Sequence, residues 1–200
     1  MKKILSAVLL VVAVGFTGCE EEVTAPTPTP AASNYFPMTQ GSSWTYDLTV
    51  GFPTDTVYTE TKTITGDTTV NGKKYVRVLS TDEESTPEYF RRSNDTVFTL
   101  NENGNDEIVA IERKGASWTK TYVEEGESMT IVFNTVDKGI SRTVSGKPYS
   151  DVLHVKGVGE VNIGGQTTSM EFNGYLAKGV GPIEENTPIS SAKLKTYSIK

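Results

Sequence analysis

The chain reads as an all-β protein, an antiparallel meander folded into one strongly curved sheet. Three observations predict it. Apolar and polar residues alternate with period two, as Trp44, Tyr46, Leu48 and Val50 do against Ser43, Thr45, Asp47 and Thr49. Such alternation sends successive side chains to opposite faces of a strand. Turn chemistry closes these runs roughly every 8–14 residues, the spacing of strands joined by short hairpins. Finally, no stretch of the domain keeps apolar residues at helical spacing over three turns.

The first element is not a strand. Lys2 and Lys3 precede an apolar run from Ile4 to Phe16, then Thr17-Gly18 and Cys19. The run is short of the ~20 residues a spanning helix needs and fits a secretory signal, and no later stretch is apolar enough to cross a bilayer. Cys19 is the one cysteine, so an internal disulfide is excluded. One reading is an ordinary secretory peptide with an incidental thiol. The other rests on order: basic start, greasy run, small residues and cysteine resemble the bacterial lipoprotein signal and its lipobox, although Phe16 stands where that signal prefers Leu. The resemblance implies removal of residues 1–18, diacylation at the Cys19 sulfur and acylation of its amine. Each buried methylene contributes about 0.8 kcal/mol, so two or more acyl chains hold firmly where one binds marginally.

Losing residues 1–18 removes two lysines and takes the net charge from −6 to −8. A chain this acidic does not adhere to nucleic acid or anionic lipid by charge. The expected partner is therefore the membrane, reached through lipid on Cys19, with an envelope protein or apolar ligand beyond it. Glu20-Glu21-Glu22 read as a solvated linker start, or as a run resembling a surface-export signal of some Gram-negative lipoproteins. The expected address is the outer membrane, with the cell surface favoured by those glutamates.

Residues 19–33 form an acidic and Pro-Thr linker in which Pro26, Pro28 and Pro30 alternate with threonines. That composition favours polyproline II, a stalk rising about 3.1 Å per residue. Residues 34–200 form a single β domain, long enough to bury a core. After the Trp44 strand, Asn71-Gly72 predicts a two-residue hairpin, because both central positions of that turn want positive φ. Asn94-Asp95, Gly104-Asn105 and Gly164-Gly165 mark further turns, and Met129, Ile131 and Phe133 mark another alternating strand. Val70 to Leu79 and Val144 to Leu153 both spell V-x-G-K-x-Y-x-x-V-L, a turn feeding a tyrosine-led strand, and Tyr89 and Tyr175 begin similar strands downstream. A duplicated half-sheet and chance reuse of good hairpin chemistry are both open, with duplication favoured.

Tyr35-Phe36-Pro37, Gly41, Trp44 and Tyr46 form a YFP-x-x-x-G-x-x-W-x-Y opening, and Tyr175, Ala177, Gly179-Val180-Gly181, Leu194 and Tyr197 a matching close. Together they resemble the TapB-like and related domains of unknown function of exported bacterial proteins. The resemblance implies a half-barrel similar to that of lipoprotein-localisation factors. It carries no activity and no catalytic residues. Core packing and corner turning account for these motifs; the alternative is a concave face where Trp44, Tyr46, Tyr75, Tyr149 and Tyr175 line a ligand.

Chemistry is sparse. His154 is the only histidine, within a strand-like Asp151-Val152-Leu153-His154-Val155, and reads as a packed residue. No G-x-S-x-G, P-loop or H-E-x-x-H is present, and Gly157-Val158-Gly159 opens no helix, so no cofactor or metal site is expected. Asn101 to Glu107 has the wrong glycine position for a calcium loop and reads as a polar hairpin tip. Asp82-Glu83-Glu84 and Glu124-Glu125-Gly126-Glu127 read as solvated turns. Asp55-Thr56-Val57, Asp67-Thr68-Thr69 and Asp95-Thr96-Val97 resemble O-glycosylation acceptors. The sequence thus predicts a non-enzymatic binding or scaffold lipoprotein of the outer membrane. A carrier of an apolar ligand in the concave face is the alternative, and a hydrolase using a carboxylate pair is weaker.

Overall fold

The computed structural model describes residues 34–51, 55–82, 85–124, 127–163 and 166–200. The signal segment, Cys19, the three glutamates after it, the Pro-Thr linker, Glu83-Glu84, Glu125-Gly126 and Gly164-Gly165 lie outside the described residues. Twelve strands make one antiparallel sheet. In chain order they are β1 (Ser43–Gly51), β2 (Asp55–Val70), β3 (Lys73–Ser80), β4 (Glu88–Ser93), β5 (Thr96–Leu100) and β6 (Asp106–Ile111). There follow β7 (Ser117–Glu124), β8 (Glu127–Val144), β9 (Lys147–Ile163), β10 (Gln166–Ala177), β11 (Gly181–Asn186) and β12 (Ser190–Ser198). No helix occurs among the described residues.

Each strand pairs with its chain neighbours except at one place. The first and last strands are zipped together, from Ser43 opposite Ser198 to Val50 opposite Ser190, while β6 and β7 are the two edges. The meander therefore closes through its termini, and its gap falls at mid-chain. That gap is narrow: Lys120 of β7 is ion-paired with Glu107 of β6, and Thr135 Oγ1 donates to the Ile111 carbonyl at 2.5 Å. The sheet is a nearly closed barrel, curled further than a half-barrel. Bulges supply the added curl, since an extra residue bends and twists its strand. They interrupt the pairing of β1 with β12, of β2 with β3, of β5 with β6 and of β10 with β11, and occur three times between β8 and β9. Gly157 and Gly159 have a different use. A Cβ there would stand 2.5 Å from the Phe133 ring and 2.8 Å from Ile131, so bare backbone makes room for both.

The barrel is built from two matching halves, β1–β6 and β7–β12. Both V-x-G-K copies turn the hairpin between the second and third strand of their half, with Asn71 and Gly72 at φ 50° and 73° and Ser145 and Gly146 at 50° and 76°. Tyr89 and Tyr175 fall on the fourth strand of each. A second match lies at the same sequence offset as the turn copies: Gly41-Ser42-Ser43-Trp44-Thr45 against Gly115-Ala116-Ser117-Trp118-Thr119. Backbone bonding repeats with it. Gly41 N donates to Ile64 O and Gly115 N to Thr135 O, both at 2.8 Å; Ile64 N returns to Ser42 O and Thr135 N to Ala116 O, both at 2.9 Å. Chance reuse of one hairpin does not reproduce this second, separate loop, so duplication is the better reading.

Two buried clusters fill the interior, one around Trp44, Ile64, Val78, Val152, Ile183 and Leu194, the other around Tyr35, Val97, Trp118, Leu153 and Leu176. The segment ahead of β1 plugs the second. Tyr35 N donates to Glu112 Oε1 at 3.0 Å, its hydroxyl donates to the Asp151 carboxylate, and the Phe36 ring lies 5.0 Å from that of Phe90. Asn34 O accepts from Gly179 N at 2.9 Å. Glu112 in turn takes both terminal nitrogens of Arg92, tying the plug to β4 and to the loop crossing the gap.

Candidate functional site

The opening and closing motifs, far apart in sequence, meet at one wall. Trp44 Nε1 donates to Val180 O at 2.6 Å, and Tyr46 hydroxyl donates to Pro182 O at 3.0 Å. A Cβ on Gly181 would come within 3.0 Å of Trp44 Nε1, and its φ of +107° is a conformation side chains rarely adopt. Glycine there is what lets the indole reach the turn. Leu194 and Tyr197 pair opposite Tyr46 and Trp44.

Against this wall lies a cavity of about 190 Å³. Its apolar lining includes Phe36, Trp44, Tyr46, Val78 and Phe90, and its polar lining Lys62, Glu88, Glu184 and Glu185. Register explains the meeting. Lys62 pairs opposite Trp44 and Ser80, Glu60 opposite Tyr46, Glu88 opposite Val78, and Glu185 opposite Ala192, which is itself opposite Leu48. Residues directly opposite in a sheet share a face, so three strands deliver carboxylates to the same concavity.

Two of these carboxylates are engaged. Lys62 Nζ donates to Glu88 Oε1 at 2.6 Å, and Ser80 Oγ to Glu60 Oε1 at 2.6 Å. Burial alone would lower the Lys62 pKa, but the charge and hydrogen bond of Glu88 outweigh it and hold the ammonium above its ordinary value. Glu184 is drawn off by the Arg142 guanidinium, at 2.5 Å from Nε. The Glu185 side chain makes no hydrogen bond or ion pair among the described residues. Glu185 is an exposed residue whose carboxyl rests against the concave wall; that contact raises its pKa, Glu88 adds to the rise, and Lys62 and Lys120 oppose it. Tyr46 shows the same environment, its phenol pushed up first by burial and then by Glu185, Glu60 and Glu88.

Of the five rings the sequence groups together, the barrel brings Trp44 and Tyr46 to this cavity. Tyr75 stands elsewhere, its hydroxyl on Asp106 Oδ1 at 2.8 Å, because it lies three residues from the cavity-lining Val78 on β3 and so takes the other face of that strand. Tyr149 lines an open cleft of about 360 Å³ on the β8–β9 hairpin with Arg142 and Pro148, and its buried hydroxyl has no partner. Tyr175 is stacked on His154 at 4.4 Å and lies under the Arg142 guanidinium at 3.4 Å. His154 is a packed strand residue, with Nε2 2.8 Å from Asn173 Oδ1.

The Asn101 to Glu107 segment the sequence singles out does structural work. Asn101 Oδ1 accepts from Asn103 N and Asn105 N, which closes the hairpin tip. Asp106 is more than part of that tip. It takes Arg91, Lys73 and Tyr75 at once, and the Arg91 bonds hold its carboxyl far below the usual range. A depressed carboxylate contributes stability above its unfolded pKa of about 4 and loses it as pH falls through the folded value. Asp106→Asn is therefore expected to flatten part of the acid limb in urea titrations between about pH 5 and 2, leaving the share owed to Asp151, which its bond from Tyr35 also depresses. An acid limb unchanged by the substitution would count against this role. The carboxylates that do converge, Glu60, Glu88 and Glu185, carry no motif. Only their place in a pairing register sets them together, and a single sequence does not give register.

No family model matches this chain, and no curated protein matches it. Solved structures do. One is a protein described as exported, with a YmcC-like fold, from Bacteroides fragilis: TM-score 0.53, 11% identity, covering 84% of this chain and 100% of that one. Another is described as a lipoprotein, from Parabacteroides distasonis: TM-score 0.53, 11% identity, 84% of this chain and 99% of that one. At 11% identity the likeness is one of fold.

Proposed function

We propose that this chain is a lipid-anchored protein of the bacterial envelope, held at the outer membrane through Cys19, whose barrel is a non-enzymatic binding module. The paired end motifs also favour kinship with the TapB-like group. The cavity at the Trp44 wall carries the reading: it is a concavity with aromatic walls and a few converging polar groups, the usual composition of a small-molecule site. Its volume of about 190 Å³ is below the ~300 Å³ at which drug-sized pockets begin. That size favours a small ligand over an acyl chain. The engagement of Glu88 by Lys62 and of Glu60 by Ser80 favours binding over hydrolysis, because it leaves Glu185 without a second unengaged carboxylate to work with. Two solved proteins of the same fold being described as exported and as a lipoprotein agrees with the anchor.

Fractionation of native cells tests the anchor. Wild type is expected with outer-membrane vesicles, and Cys19→Ala in the soluble fraction. Equal sedimentation of the two would end the proposal of a lipid anchor.

A further inference from the structure

We infer that the cavity at the Trp44 wall is a site for a small organic ammonium ion, a protonated amine on a short apolar or aromatic stem. This rests on the binding-module reading and specifies its ligand. The acids alone do not make the site; the walls do. Trp44, Tyr46, Phe36 and Phe90 bound a cavity of about 190 Å³, room for one ring and a short stem. Aromatic faces attract cations through their quadrupole, more strongly once the cation has shed water. Trp44 and Tyr46 are held in place by bonds to Val180 O and Pro182 O. They are therefore preorganised, and little freedom is lost on binding.

The charge arrangement sets the sign of the ligand. Glu88 already holds Lys62, while the Glu185 side chain lines the cavity with no hydrogen bond or ion pair among the described residues. An anion would meet Glu88 and Glu185 together. A neutral guest would leave the Glu185 carboxylate without a counter-ion. A primary ammonium has three donors. It can bond Glu185, approach the lone pairs Lys62 leaves on Glu88, and set its stem against the rings. The protein supplies one such cation itself, Lys62, and an incoming amine completes the pairing that this lysine leaves unfinished.

Calorimetric titration of the full chain, purified in non-ionic detergent, tests this with three probes of one shape. Phenethylamine hydrochloride is expected to bind at least about tenfold tighter than 2-phenylethanol, one charge-assisted bond's worth, and phenylacetate not at all. Glu185→Gln is expected to erase the preference for the amine while leaving the thermal midpoint unchanged or raised, since that side chain is exposed and has no bond of its own to lose among the described residues. Should that variant fail to fold, Lys62→Gln serves in its place, and the amine is expected to bind it more tightly because the internal competitor is gone. Amine and alcohol binding alike, an amine preference indifferent to Glu185→Gln, or no binding by any probe would each overturn the assignment. Equal binding of amine and alcohol would leave the binding module standing as an apolar site, and the anchor stands or falls separately with Cys19→Ala.

Discussion

Trp44→Ala is expected to destabilise the barrel by about 3–5 kcal/mol, the cost of a large-to-small change in a packed core. At urea slopes of about 1–3 kcal/mol/M this lowers the unfolding midpoint by at least about 1 M. The indole is 5% exposed, sits in the first buried cluster, and holds the Val180 carbonyl. Both the transfer and the hydrogen-bond contributions are therefore lost together. Trp44→Phe separates them. It keeps most of the apolar contact but leaves the Val180 carbonyl without its donor, and a loss of about 1–2 kcal/mol is expected. If the alanine variant unfolds within 0.2 M of wild type (about 0.2–0.6 kcal/mol on those slopes), the wall is not the anchor of the core described above.

Glu112→Ala is expected to cost roughly 3 kcal/mol, because breaking a largely buried pair strands the remaining charge. Glu112 is 6% exposed and receives Arg92 through both terminal nitrogens and Tyr35 through its backbone N–H. Arg92 Nε is already buried without a partner, so removal of the carboxylate leaves the guanidinium with only its Nη1 bond to Asn94 O. Equilibrium unfolding measures the loss, and the double variant Arg92→Met, Glu112→Leu checks its cause. Apolar replacement of both partners often recovers the stability lost with one. A double variant no better than Glu112→Ala would place the defect in the Tyr35 plug and not in the stranded charge.

The sequence carried the fold class in its side-chain alternation and turn residues, because both are local. Asn71-Gly72 specifies its own hairpin whatever surrounds it, and Trp44 to Val50 announce a strand with one wet face. The duplication was half legible. The V-x-G-K copies are plain, whereas Gly41 to Thr45 and Gly115 to Thr119 are short and become convincing only when their backbone bonds coincide. The site was less legible still. Trp44 and Tyr46 stood out as rings on one face of a strand, but Glu60, Glu88 and Glu185 look like ordinary surface glutamates. Their convergence depends on pairing across β1, β2, β3, β4 and β11, and on bulges that shift which residue faces inward. Tyr75 misses the expected wall for a simpler reason: three residues from Val78 on β3, it takes the other face and reaches Asp106.

The zipping of β1 to β12 has a consequence in time. A chain exported behind an N-terminal signal reaches the far side of the membrane with β1 well ahead of its last neighbour. Hairpins form in microseconds and whole β domains in milliseconds to seconds, so the first six strands can begin to assemble before the other six have crossed. During that interval the early half has two unsatisfied borders, one along β1 and one along β6. Such borders recruit any strand that passes, and another nascent copy presents the matching one. Whatever keeps young chains apart until residue 198 has emerged decides whether β1 meets its own β12 or a stranger's.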